Sequence, residues 1–96
     1  MKALSVETFA PLVGSLFRMH VDPEQTWDVE LIEARSIEAP ALAARQPFSL
    51  VFRGPRTPLA VQRIYRLEHA ALGELELFLV PVGPDKLGMC YEAIFS

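Results

Sequence analysis

Apolar side chains that alternate with period two predict a mainly β fold, in which a short N-terminal helix precedes about six mostly antiparallel strands. The strands are expected to form a curved sheet, a small barrel or a compact sandwich. Two hairpins carry this reading. In QRIYRLEHAALGELELFLVPV, residues 62–82, closing the chain around Gly73 sets Tyr65 opposite Leu77 and Leu67 opposite Leu75 on one side. On the other side Arg66 faces Glu76 and Ile64 faces Phe78, so every pair is chemically matched. In residues 15–34, two alternating runs flank Asp22, Pro23, Glu24 and Gln25, a turn composition.

Taken in order, Ser5 is placed to cap a helix over residues 6–13, with Glu7 in its first turn and Gly14 just past its end. Pro11 shortens or kinks that helix, and Phe9, Leu12 and Val13 share the face that should dock on the sheet. In the first hairpin, pairing Val21 with Trp27 puts Met19 opposite Val29 and Phe17 opposite Leu31. The same register sets Arg18 opposite Glu30 and His20 opposite Asp28 on the outer face. Residues 37–46 are the least decided, since Pro40 opposes a continuous helix while residues 41–45 could form one turn. Phe48, Leu50 and Phe52 alternate through a third strand that Gly54, Pro55 and Pro58 end. After the 62–82 hairpin, Gly83, Pro84, Asp85 and Gly88 form a turn, and Met89, Tyr91, Ala93 and Phe95 share one face of a last strand. No internal repeat, linker or low-complexity tract is evident.

Ninety-six residues suit one domain spanning 1–96, and 51% apolar with 22% charged residues describes a globular chain. A net charge of -3 gives no general attraction to nucleic acid or anionic membrane, and both tyrosines fall on the core side, leaving no exposed stacking platform. One cysteine, Cys90, excludes an internal disulfide and a zinc site built from cysteines. Residues 1–17 lack a signal-peptide core because Glu7 and Pro11 interrupt it, and no run approaches the roughly 18 apolar residues of a membrane helix. A cytoplasmic location without a membrane partner is expected.

The candidate chemical groups have plain structural explanations. His20 is explained by a cross-strand pair with Asp28, and His69 by a bond from its ring to a turn carbonyl. Cys90 reads as a small apolar residue on the last strand, with no thiol-enzyme signature around it. Glu33, His20, His69 and Cys90 lack metal-ligand spacing, so no metal, cofactor or catalytic residue is expected. Charge is uneven: Asp22, Glu24, Asp28, Glu30, Glu33 and Glu38 make the first hairpin acidic, whereas Arg53, Arg56, Arg63 and Arg66 are clustered later. Arg53 and Arg56 in the loop RGPRTP could bind an anion, or the arginines could pair with Glu74 and Glu76.

A second set of apolar side chains, Leu16, Ile32, Val51, Ile64, Phe78, Val80 and Ile94, points away from the main core. On a two-faced sheet something must cover it: the N-terminal helix in part, and a second subunit or another protein for the remainder.

The succession FSLVFRGP, QRIYRLEHAALGELELFLVPVGP and YEAIF, preceded by F-x-P-L-x-G-x-x-F from Phe9 to Phe17, resembles a small uncharacterised bacterial domain family. The resemblance covers nearly the whole chain and carries over no catalytic or ligand-binding residue; Gln62, His69 and Glu92 are the polar positions among those that recur. It implies an association with phage-tail-collar-like proteins and hence an accessory or assembly role. The functional expectation is a non-catalytic, self-associating interaction module that uses Leu16, Ile32, Ile64, Phe78, Val80 and Ile94. The alternative is a small-ligand or anion-binding barrel, with a minor chance of catalysis, that gathers Tyr65, His69, Arg63 and Cys90 near one end.

Overall fold

The structure is a computed structural model that describes residues 4–38 and 46–95. Six strands, β1 (Leu16–Asp22), β2 (Gln25–Ser36), β3 (Phe48–Gly54), β4 (Arg63–His69), β5 (Gly73–Pro84) and β6 (Met89–Phe95), close into a barrel in the order β1-β2-β3-β6-β5-β4. All neighbouring strands are antiparallel, and β4 returns to pair with β1. Of the three expected architectures, the barrel is the one formed. Alternate side chains point inward, so Phe17, Met19, Val29, Leu31, Leu50, Phe52, Leu67, Leu79 and Tyr91 are fully buried and fill the interior.

The 62–82 hairpin has the register expected from the sequence, from Ile64 opposite Phe78 to Leu67 opposite Leu75. The first hairpin keeps the expected faces but not the pairs: Met19 lies opposite Trp27, Phe17 opposite Val29 and Arg18 opposite Asp28. An Asx turn explains the slip. Asp22 pairs with Gln25 while its Oδ1 accepts the Glu24 amide at 2.9 Å, and a bulge at Val21 absorbs the extra residue. A two-residue slip leaves every side chain on its original face, which is why alternation alone could not detect it.

Helix α1 spans only Val6–Phe9 and tightens into a 3-10 turn at Ala10–Leu12, where Pro11 cannot continue the hydrogen-bond ladder. The helix does not lie across the outer face. Phe9 enters one end of the barrel and is completely buried against Phe48 and Phe95, with ring centroids 5.9 Å and 6.0 Å away. Val13 stays exposed. The other end is closed by buried Ala60, whose amide donates to the Tyr91 hydroxyl at 2.9 Å. Gly88 abuts the same end: a Cβ there would fall 2.1 Å from the Gly54 carbonyl oxygen. The turn expected at residues 41–45 lies outside the described residues.

An internal repeat, not evident from the sequence, is plain in the topology. β1, β2 and β3 contain 7, 12 and 7 residues, and so do β4, β5 and β6. The pair Phe17–Val29 recurs as Tyr65–Leu77, and Met19–Trp27 recurs as Leu67–Leu75. In each half a bulge bends the long middle strand, so that it pairs with one neighbour through its first part and the other through its second. Where β1 meets β4, Met19 faces its own counterpart Leu67, and where β3 meets β6, Val51 faces its counterpart Glu92. The halves are therefore related by an approximate twofold axis through both seams.

Candidate functional site

The twofold places equivalent outer positions of the two halves on opposite sides of the barrel. In the first half, Leu16 pairs with Glu30 and Glu30 with Arg53, which makes an outward row across β1, β2 and β3. Glu30 and Arg53 form an ion pair with Oε1 and Nη1 3.6 Å apart. The equivalent row in the second half is Ile64, Phe78 and Ile94. Ile64 faces Phe78 directly, and the register that pairs Val80 with Glu92 brings Phe78 beside Ile94 two residues away. These three side chains are 61%, 50% and 58% exposed, and half-buried Val80 lies on the same outer face.

The seven residues expected to form one apolar face thus do not form one. A closed barrel has no second face; its exterior is spread around a circumference. Leu16 lies on the first half, away from Ile64, Phe78, Val80 and Ile94, and Ile32 and Val51 are half-buried near the bulge of β2.

Both histidines serve the β1–β4 seam. His20 faces Thr26, not Asp28, and its Nε2 instead meets the Glu68 carboxylate across the seam, while Arg66 Nη2 approaches Nδ1 at 3.3 Å. That contact holds the Glu68 carboxyl below its ordinary pKa. His69 Nδ1 accepts the Ala71 amide at 3.0 Å, so its Nε2 carries the proton and donates to Ser15 Oγ, also at 3.0 Å. Ser15 in turn donates to the Leu12 carbonyl, and the imidazole packs on Phe17 with centroids 4.4 Å apart. At the far end of the seam, Arg63 Nη2 donates to the Val21 carbonyl at 2.7 Å, beside the bulge. The ring of His69 therefore bonds a side chain and an amide rather than the expected carbonyl.

The arginines of RGPRTP find acceptors within the chain. Asp85 Oδ2 accepts Arg53 Nε at 2.8 Å and Nη2 at 2.5 Å, its Oδ1 accepts the Leu87 and Gly88 amides, and Arg56 Nη1 donates to its carbonyl at 3.0 Å. These contacts hold the Asp85 carboxyl well below the usual carboxylate range, the Arg53 bond contributing most. An incoming anion would have to displace Asp85. Arg66 reaches Glu74 at 3.5 Å, one of the pairings expected from the sequence. Asp85 is the residue that sequence reasoning missed: it was legible as a turn former, but nothing in a linear pattern connects it to Arg53.

The groups proposed to converge for ligand binding are dispersed. Tyr65 is buried with its hydroxyl on the Val61 carbonyl, and Arg63 stacks on its ring 4.6 Å from the centroid. His69 is at the opposite end of β4, and Cys90 is buried on the outer side of β6 opposite Arg53. Burial pushes the Cys90 thiol up in pKa, away from the thiolate that nucleophilic chemistry needs. Two open grooves share Leu16 and Asp28: one of about 360 Å³ crosses the β1–β4 seam to Glu68, His69 and Glu74, and one of about 430 Å³ runs beside Glu30 and Arg53. Among the described residues no three His, Cys, Asp or Glu side chains converge as a metal site, and no helix is long and apolar enough to cross a membrane.

No curated protein and no solved structure matches the chain. The family model of a domain of unknown function, DUF6916, matches residues 4–95. The chain therefore belongs to the DUF6916 family, consistent with the expected resemblance to an uncharacterised domain family.

Proposed function

We propose that this domain is a non-catalytic protein-interaction module that docks through the outer row Ile64, Phe78 and Ile94, with Val80 at its margin. One observation carries the reading. The same barrel position is occupied twice, once by Leu16, Glu30 and Arg53 with an ion pair, and once by three apolar side chains that are at least half exposed. Because the first half folds with charge at this position, the fold does not require the apolar row of the second. Exposed apolar clusters mark contact surfaces in soluble proteins. An accessory role in a phage-derived assembly, which the family resemblance implies, would use such a face.

The test is recovery of the tagged protein from its own cells, comparing the native chain with Phe78→Glu, Ile94→Lys and the control Leu16→Lys. Loss of the same binding partner from the two second-half variants, with retention by the control and unchanged melting temperatures, is the expected result. Identical recovery by all four chains refutes the reading.

A further inference from the structure

We infer that the occupant of this face is a basic protein segment, one that sets apolar side chains between lysines or arginines; this rests on the docking face proposed above. The inference follows from the charge that borders the apolar row. Glu76 lies one outward position from Phe78 along β5 and is exposed, opposite Arg66 on β4. Arg66 is drawn elsewhere: its Nε lies 3.5 Å from Glu74 and its Nη2 3.3 Å from His20 Nδ1. One outward position further along β4, Glu68 adds another carboxylate, in contact with His20. On the opposite flank Glu92, one outward position from Ile94, is half-buried between Val80 and Val51, with Glu33 beyond Val51. Past Ile94 the apolar row itself continues through Ser49 to Arg35, which Glu33 holds at 3.4 Å.

Every cation near this border is therefore already engaged. Arg66 has Glu74 and Arg35 has Glu33, while Arg63, next to Ile64 in the chain, lies over the Tyr65 ring and donates to the Val21 carbonyl. Arg53, diagonal to Glu92, is bonded to Asp85. Glu76 and Glu92 have no ion-pair partner among the described residues, and they stand on opposite flanks of the row. A basic segment completes this surface by laying apolar side chains on Ile64, Phe78 and Ile94 and bringing a cation to each flank. A neutral partner would cover the half-buried Glu92 carboxylate without a counter-charge, which is costly. Nucleic acid or an anionic membrane would meet the border with phosphate and be repelled. A second copy would repeat the same excess of carboxylate on both sides of the contact.

The experiment selects peptides from a random display library on the folded full chain and measures binding of the enriched sequences by fluorescence anisotropy. Sequences with lysine or arginine on both sides of apolar residues are expected. Phe78→Glu should weaken their binding by about tenfold or more, with an unchanged melting temperature. Glu76→Lys and Glu92→Lys, tested singly, should each weaken it roughly threefold to tenfold, and the native affinity should fall as salt screens the rim. The double variant Glu76→Lys, Glu92→Lys should instead select peptides flanked by aspartate or glutamate. No enrichment on the native chain, or enriched sequences indifferent to both glutamates, overturns the basic partner; if such sequences are still lost on Phe78→Glu, the docking face survives. Basic sequences indifferent to Phe78→Glu overturn the face and the inference together. A dimer in light scattering that Phe78→Glu dissociates assigns the face to a second copy and overturns the inference while sparing the face.

Discussion

Phe9→Ala isolates the part of the fold that the N-terminal segment contributes. Phe9 is the only fully buried side chain of α1 and lies between Phe48, where β3 begins, and Phe95, where β6 ends; those two rings are themselves stacked at 4.4 Å. Truncation would leave a void at the mouth of a barrel whose strands are hydrogen-bonded on both sides and cannot collapse into it. Buried Phe→Ala substitutions cost about 3–5 kcal/mol, and the rigid mouth argues for the upper part of that range. For a domain of this size each kcal/mol corresponds to roughly 4–8 °C in melting temperature, so a loss of at least about 12 °C is expected. Urea denaturation followed by circular dichroism measures it directly, with Val13→Ala as the comparison because Val13 is exposed on the same segment. A loss below about 1 kcal/mol for Phe9→Ala, or equal losses for the two variants, would refute the plug and leave α1 a loosely attached strap.

Gly88→Ala should be among the most destabilising single-methyl additions, about 3 kcal/mol or more by chemical denaturation, because its Cβ would fall 2.1 Å from a backbone oxygen that cannot rotate away. The melting temperature should fall as pH drops below about 4: Asp85 and Glu68 have depressed folded-state pKa values, so their stabilisation is complete above the unfolded carboxylate pKa and is lost as protons bind on the acid side. Asp85→Asn should lower stability at neutral pH and flatten that acid decline, which melting curves from pH 7 to pH 2 will show. Cys90, buried and with its thiol pKa raised, should react with a thiol reagent at neutral pH only as fast as the native structure opens, and rapid stoichiometric labelling would contradict the packing of β6.

The β4–β5 hairpin was legible because Gly73 fixes its turn and four cross-strand pairs agree on one register. The first hairpin was legible only to its faces. Arg18–Glu30 and His20–Asp28 are as plausible chemically as the pairs that form, and the choice lay with an Asp22 side chain folding back on the Glu24 amide. Barrel closure decided the rest, and no local pattern encodes closure. Once β1 lies against β4, His20 reaches Glu68 and His69 reaches Ser15, contacts between residues 48 and 54 positions apart. The Arg53–Asp85 pair depends in the same way on β3 lying beside β6.

The repeat escaped linear reading for a different reason, and that reason gives the exposed row its meaning. LFRMHVDPEQTWDVELI and IYRLEHAALGELELFLV align over β1–β2 and β4–β5, but an 11-residue connection before β3 is matched by a 4-residue one before β6, so no single offset spans both halves. Inside the barrel, Phe17 answers to Tyr65, Met19 to Leu67, Val29 to Leu77 and Leu31 to Leu79, and all eight are buried. Shared packing holds these positions to apolar residues of similar size. Outside, no packing constraint ties the halves together, so what each outer row carries reflects what it meets. Arg53 meets both Glu30 and Asp85, which ties β2 and β3 to the β5–β6 turn. Phe78 and Ile94 occupy the corresponding positions and meet solvent within the monomer. A barrel that carries its own charged counterpart can therefore distinguish an apolar surface the fold needs from one it only tolerates, and Ile64, Phe78 and Ile94 are of the second kind.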